Sequence, residues 1–252
     1  MLVHEMTMTE FGQALAGGTA TAILPVGALE EHGPHLPLGT DAMHALALAR
    51  AAAALHPCLV LPPLYYGLCR SSSQHLGTVG VSGDTLRASV HDIGQGLWSQ
   101  GIHALCLLTG HAGGTHQSAL VEAGERLLIA TGLEVAVVCV LDLLDEARAF
   151  LECAGDSHAG EVETSLALHL WPEMVKGSAA EAYPTFPRFL LVRDKLSHWP
   201  SGVWGDPGRA SADKGRRILA CEARALAAIL ASLEAQAAAA RTRPDPANDG
   251  CC

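Results

Sequence analysis

The chain has 252 residues, of which 49% are hydrophobic and 17% are charged, and its formal net charge is −10 at pH 7. This length supports one large domain with a substantial core, and the acidic balance argues against nucleic acid or an anionic membrane as a partner. The longest apolar stretch, 45–55, is interrupted by Arg50 and is too short to span a bilayer. The first residues lack the positive start and apolar run of a signal peptide, so we expect a cytoplasmic protein.

Short apolar runs alternate with helical patterns along the chain. Buried strands are expected at residues 21–26, 58–62, 103–109 and 135–141. Helices are expected at residues 42–55, 85–100, 117–131, 163–170 and 212–239. Strands separated by helices of this length predict βαβ crossovers, and hence an α/β fold with a mainly parallel central sheet between helical layers. We expect one domain over residues 1–240 and a disordered polar tail at 241–252.

A loop rich in acids and histidines follows the first predicted strand. It reads PVGALEEHGPHLP over residues 25–37, and Asp41 follows nine residues after His32. Because side chains alternate along a strand, Glu30 and His32 point to the same side. Carboxylate oxygen and imidazole nitrogen together suit a divalent transition metal. The alternative is a polar loop without function, which the surrounding Gly and Pro residues disfavour because they fix the backbone.

A second polar cluster, TGHAGG at residues 109–114, lies between a predicted strand and a helix. One interpretation makes His111 a metal ligand. Another makes the loop a phosphate cradle at a helix N-terminus, although it lacks the Lys and Ser/Thr of a P-loop. A histidine with only a structural role in the loop is the third alternative.

A third cluster, GDSHAGEVETS at residues 155–165, places His158 just before a helix. Glu161 and Glu163 cannot both face one site, since residues two apart on a helix point in different directions; we favour Glu163 as the inward one. Acids in a first helical turn also stabilise the helix dipole, which is the structural alternative for both. Because ligands gather at the carboxyl ends of parallel strands, the three clusters together predict a single site.

Taken together, these segments resemble the creatininase (creatinine amidohydrolase) family. The resemblance rests on PVGALEEHGPHLPLGTD, YYGLCRSSSQHLGTV, GHAGG, GDSHAGEVETSLALHL and GVWGDP, which keep the order of that family from about residue 23 to residue 215. It implies a single three-layer αβα domain with two divalent metal ions per subunit, which zinc, manganese or iron(II) would satisfy. It also implies a homo-oligomer, such as a hexamer.

The family pattern assigns roles to individual residues. In that pattern Glu30 and His111 hold one metal, His32 holds the second, and Asp41 bridges both. A metal-bridging hydroxide is then the nucleophile that cleaves an amide C–N bond. His158 matches the catalytic histidine that passes a proton to the leaving nitrogen.

The chain departs from the creatinine-hydrolysing members around the pocket. Those members carry a tyrosine and a metal-binding glutamate after the loop histidine, where this chain has Ala112 and Gly113. We expect these two positions to border the substrate, and Glu163 is the candidate for the missing metal ligand. In the segment RSSSQH we expect Ser73 and His75 to contact the substrate, the alternative being a solvated loop.

In motif detail the chain is most similar to the branches of the family that contain the mycofactocin precursor peptide peptidase and formamidopyrimidine deformylases. We therefore expect a metal-dependent amidohydrolase acting on a small-molecule or short-peptide amide, with a peptidase or deformylase of those types as the alternative. A non-catalytic metal-binding structural or regulatory protein is the alternative from another class. An open coordination position distinguishes an enzyme from a closed structural site.

Overall fold

A computed structural model describes residues 1–242 of the chain. Four strands of this portion form one parallel sheet in the order β2-β1-β3-β4. They are β1 (Thr21–Val26), β2 (Leu59–Val60), β3 (Ala104–Thr109) and β4 (Glu134–Cys139). Six α-helices lie within the same residues: α1 (Met8–Ala16), α2 (Thr40–Leu55), α3 (Gly83–Ser99), α4 (Gly114–Ala130), α5 (Glu161–Leu170) and α6 (Ala212–Thr242). The expected α/β fold with a parallel sheet is confirmed.

Both faces of the sheet are buried, because the apolar side chains of the central strands alternate between two cores. On one face Ile23 and Leu108 pack with residues of α2 and α6. On the other face Leu24 and Leu107 pack with residues of α3 and α4. Near-continuous apolar strands of this kind occur in sheets with helices on both sides, and they produce the three-layer αβα arrangement.

The winding of the chain reverses between β1 and β3. From β1 the chain passes through α2 to β2 on one side, and from β3 it passes through α4 to β4 on the other. At the carboxyl ends of the two strands Val26 pairs with Thr109. Such a reversal opens a crevice that is the usual ligand position in open parallel sheets. The loops carrying the first two polar clusters both begin there.

Four of the five predicted helices, α2 to α5, begin two or three residues earlier than expected, and α6 begins at the expected residue 212. α2 begins at Thr40 and α5 at Glu161, so Asp41 and Glu161 occupy first-turn positions that the helix dipole makes favourable for acids. The last predicted strand ends at Cys139 and continues as a 3₁₀ turn over Val140–Leu143. Sequence analysis missed α1, whose signal is the capping box between Thr7 and Glu10.

The C-terminal helix extends further than the sequence predicts, since α6 runs through Thr242. Residues 241 and 242 are therefore helical, and the rest of the expected tail lies outside the described residues. The division into one domain and a tail stays a prediction. Within residues 1–242, no helix combines the length and the apolar character that crossing a membrane requires.

Candidate metal centre

Asp41 lies at the centre of the polar clusters, at the N-terminus of α2. Its Oδ1 is 3.0 Å from Nε2 of His32, and its Oδ2 is 3.2 Å from Nδ1 of His111. The close approach depends on Gly110, where a Cβ would lie 2.0 Å from the backbone oxygen of Asp41. Only glycine lets the loop after β3 pass so near the start of α2. Asp41 therefore faces two histidines that come from different loops.

Each histidine is accompanied by a further carboxylate. Oε2 of Glu30 lies 2.8 Å from Nδ1 of His111, and Oε2 of Glu163 lies 3.7 Å from Nε2 of His32. The donor atoms of His32, Asp41 and Glu163 lie within 4.8 Å of one another. We call Glu30 and His111 the first set and His32 and Glu163 the second set. Asp41 stands between the two sets and faces both.

Within residues 1–242, three buried polar atoms of the first set and Asp41 make no well-aligned hydrogen bond. They are Oε2 of Glu30, Oδ2 of Asp41 and Nε2 of His111. A buried carboxylate oxygen without a partner costs free energy, and a cation among these oxygens would remove that cost. Carboxylate and imidazole donors suit zinc, manganese or iron(II). The residues present therefore fit a divalent transition metal.

The charges of the site shift the protonation of its members. Burial lowers the pKa of His32, but Asp41 and then Glu163 outweigh it and raise this pKa to about 10. Burial likewise opposes protonation of His111, whose pKa is nevertheless raised well above its ordinary value by Glu30 and Asp41. For Asp41 burial favours the neutral acid, yet His32 and His111 hold its pKa well below the usual range. The carboxylate of Asp41 is thus ionised and attracts compensating positive charge.

Residues outside the predicted set hold these side chains in place. Ser72 is fully buried and donates a hydrogen bond to Oε1 of Glu30. The hydroxyl of Thr109 accepts from the backbone N–H of His111 at 3.1 Å and donates to the same residue's carbonyl at 3.0 Å. Partners of this kind orient metal ligands. The serine run of RSSSQH was the available sequence signal for Ser72.

The start of α5 separates its two acids. The backbone N–H of Ala159 donates to Oε2 of Glu163 at 2.5 Å, and Ala159 adopts φ +49°, which is uncommon for a residue with a Cβ. Glu161 faces away from the metal centre and is fully buried. It accepts hydrogen bonds from the backbone of Cys153 at 2.7 Å and from Nζ of Lys214 at 2.5 Å. The two-residue spacing predicted this division.

His158 lies beside the second set. Its Nε2 is 2.7 Å from the carbonyl oxygen of Glu31. Because a carbonyl only accepts, Nε2 carries the proton and Nδ1 is the nitrogen able to take one up. The ring is centred 4.2 Å from the ring of His32. Burial first, and the charge on His32 second, lower the pKa of His158, which favours the neutral ring.

One turn below Asp41, a buried pair joins α2 to α6. Nε2 of His44 lies 3.0 Å from Oε2 of Glu222, and both side chains are almost fully buried. Burial lowers the pKa of His44, but the carboxylate of Glu222 outweighs it, so the pKa is raised overall. His44 is therefore directed toward the C-terminal helix α6. Asp41, one turn earlier on α2, is directed toward the candidate metal centre.

A cavity of about 830 Å³ opens onto the centre. Ala112 and Gly113 line it, as do His158 and Glu163. Ser73 and His75 do not: the Ser73 hydroxyl is exposed and bonds to the carbonyl of Arg70, and Nε2 of His75 lies 2.6 Å from the carbonyl of Trp199. Arg70 and Ser71 of the same loop line the cavity instead.

The ring of His111 lies over the Cβ position of Gly113. A Cβ there would lie 2.5 Å from Nε2 of His111, so the glutamate that the family resemblance places at residue 113 would require this ring to turn. Gly113 contributes no carboxylate, and Glu163 of α5 brings a second carboxylate, beside that of Asp41, to within 3.7 Å of His32.

A sequence profile of the creatininase family, described as creatinine amidohydrolase, matches residues 4–230 of the chain. The chain belongs to the creatininase family. The resemblance drawn from the sequence motifs is confirmed, and with it the class of enzyme, a hydrolase acting on C–N bonds.

Two relatives in this family differ in their named substrates. The mycofactocin precursor peptide peptidase of Mycobacterium ulcerans (strain Agy99) is 33% identical over 214 residues, which cover 79% of each chain. The creatinine amidohydrolase of Pseudomonas putida is 28% identical over 242 residues, which cover 87% of this chain and 92% of the relative. Family membership alone therefore does not decide the substrate.

Solved creatininase structures share the fold. A mutant of the zinc–zinc type superposes with a TM-score of 0.81 at 28% identity, covering 92% of this chain and 98% of the other. A manganese creatininase superposes with a TM-score of 0.82 at 28% identity and the same coverage. Both metals are among those that the residues of this centre suit.

Replacing Ser72 by alanine is expected to weaken metal binding about 10- to 100-fold, because Glu30 loses the hydrogen bond that orients it. Competition with a fluorescent chelator measures the dissociation constant. The matched control is Ser73→Ala in the same loop, whose exposed hydroxyl donates to the carbonyl of Arg70. Equal metal affinity in the two variants would show that Ser72 does not support the centre.

Proposed function

We propose that this creatininase-family chain is a two-metal amidohydrolase in which Asp41 would help to hold both ions. The observation that carries the proposal is the division of its carboxylate, with one oxygen toward each set of side chains. Glu30 and His111 would hold one ion, and His32 and Glu163 the other. The similarity to a zinc–zinc creatininase supports a pair, and Glu163 takes the place of the carboxylate that Gly113 lacks.

Divalent ions in such a pair supply Lewis acidity, which lowers the pKa of water and polarises a carbonyl group. The protein supplies the proton transfer. His158 lines the cavity beside the second set, with Nε2–H held by the carbonyl of Glu31. Nδ1 would take a proton from the water that attacks the amide carbonyl and pass it to the leaving nitrogen as the C–N bond breaks, which leaves a carboxylate and an amine. The neutral ring that burial favours is the form ready to accept that proton.

The proposed substrate is a short peptide or another amide larger than creatinine. A cavity of about 830 Å³ is in the range that holds drug-sized ligands. Ala112 and Gly113 offer no side chain to grip a compact ring. The 33% identity to a peptide peptidase favours the same class of substrate.

The open cavity also favours an enzyme over a structural metal protein. Glu30, Asp41, His111 and Glu163 all line it, so a substrate reaches the residues that would hold the metals, whereas structural sites are closed. The cytoplasmic location and the homo-hexamer stay predictions.

Replacing Asp41 by asparagine is expected to reduce the binding of both ions and to abolish turnover, because both sets lose their shared anion. Glu163→Gln is expected to retain the ion of the first set and lose the other. Metal content after gel filtration, measured by plasma mass spectrometry, distinguishes these results. The control is Asp145→Asn, an exposed carboxylate. Full occupancy and a normal rate in Asp41→Asn would exclude this role for Asp41.

Replacing His158 by glutamine is expected to lower kcat by roughly 10²–10⁴-fold while metal content stays near normal, because the proton carrier is lost. Steady-state rates and metal analysis of the same samples measure both quantities. His91→Gln on α3 is the control for a histidine outside the cavity. Loss of metal with unchanged activity per remaining ion would make His158 a ligand instead.

Creatinine is expected to be a poor substrate, because the groups that would position a compact ring are absent and positioning accounts for orders of magnitude in rate. The metal-loaded enzyme is assayed on creatinine, a mycofactocin-type precursor peptide and a formamidopyrimidine. We expect turnover of the peptide to exceed that of the other two. A kcat/KM for creatinine of about 10⁴ M⁻¹s⁻¹ or more, within the ordinary enzyme range, would overturn the proposed substrate class.

A further inference from the structure

Charged side chains are unevenly distributed around the cavity. Its acidic lining residues, Glu30, Asp41 and Glu163, all belong to the metal centre. Its lysine and arginine residues are Arg70 and Lys195. In a chain with a formal net charge of −10, this cavity therefore carries a local positive patch away from its metal ligands.

Neither cation is neutralised by a carboxylate. Within residues 1–242, no acid lies within ion-pair distance of Arg70 or Lys195, whereas Arg209, Lys214 and Arg224 each pair with a glutamate. Nζ of Lys195 donates one hydrogen bond, to the backbone carbonyl of Arg70. An ammonium group has three donors and a guanidinium has five, so most of the donors of this pair are available to a ligand.

The two cations are held on one wall of the cavity by contacts between their segments. The N–H of Lys195 donates to Oε1 of Gln74 at 2.6 Å, and Nε2 of His75 lies 2.6 Å from the carbonyl of Trp199. Together with the bond from Lys195 to Arg70, these contacts join the RSSSQH loop to residues 195–199 at three points. His75 therefore supports the wall, although it does not line the cavity.

Apart from the two cations, the metal centre and His158, the large side chains of the cavity are apolar or aromatic. Leu190 and Leu191 are 69% and 102% exposed, so they offer contact area to a ligand. The apolar and aromatic lining residues are Phe186, Leu190, Leu191, Val192, Trp199 and Trp204. An apolar wall with a few convergent polar groups is typical of a site for an organic ligand of peptide size.

We infer that the cavity selects amides that carry a free carboxylate, with Arg70 and Lys195 as the residues that bind it. The substrate class is an apolar acyl-amino acid or short peptide whose terminal carboxylate meets the two cations while its amide reaches the metal centre. This inference rests on the proposed function. Guanidinium and ammonium donors make strong charge-assisted hydrogen bonds to carboxylates, which a neutral amide end cannot match.

The test compares two probes that differ only in charge, N-acetyl-Leu-Phe as the free acid and as its C-terminal carboxamide. Binding is measured by calorimetry on the metal-loaded His158→Gln variant, in which turnover is slowed. The free acid is expected to bind about tenfold more tightly than the carboxamide, and the difference is expected to shrink at high salt because the cations are partly exposed.

Substitutions then locate the carboxylate. Arg70→Gln is expected to reduce the preference for the free acid. The double variant Arg70→Gln/Lys195→Gln is expected to lose this preference, while binding of the carboxamide stays unchanged in both variants. Arg193→Gln is the matched control, because Arg193 is exposed in the same segment but does not line the cavity. It is expected to keep the full preference.

Three results would overturn the inference: equal binding of the two probes, binding of neither, or an undiminished preference in the double variant, which would place the carboxylate on the metals. Metal content of the same samples is measured separately. The two proposals can fail separately. If the protein binds no metal pair but still binds the free acid more tightly than the carboxamide through Arg70, the proposed function is refuted and the carboxylate-binding inference stands.

Discussion

The burial of Asp41 between His32 and His111 is the constraint on which the rest of the site depends. Removing a carboxylate from water costs several kcal/mol unless partners compensate it, so Asp41 is stable there only if positive charge meets both of its oxygens. The reversal of winding between β1 and β3 brings the two loops together to do so. Gly110 permits the necessary backbone contact. A parallel sheet thereby becomes a support for a charged centre.

Long-range contacts extend this centre through the molecule. Glu163 comes from α5, which packs on α6, and Glu222 of α6 meets His44 beneath Asp41. Ser72 reaches Glu30 from a loop about forty residues later. The positions of the side chains at the candidate metal centre thus depend on the helical layer that contains α2 and α6 as well as on the sheet.

Much of the fold was predictable because its signals are local. The strands of the sheet are short apolar runs. Glu30 and His32 both reach the centre, but they lie in the loop after β1, which ends at Val26, so the expected strand alternation does not account for their positions. The division between Glu161 and Glu163 follows from helical spacing. The parts that sequence reasoning missed are set by contacts between distant segments. Ser72 differs from Ser73 only in how their loop packs, which no periodicity records. The cavity wall at 186–195 lies in a segment without regular structure.

The geometry at Gly113 links the composition of the centre to the orientation of His111. A Cβ at this position would lie 2.5 Å from Nε2 of His111, so any side chain introduced there would displace that ring from its place beside Glu30 and Asp41. Glycine at residue 113 is therefore a condition for the first set as it stands. A carboxylate added to the loop after β3 would cost the centre a histidine contact, so the choice of carboxylate and the orientation of His111 are coupled.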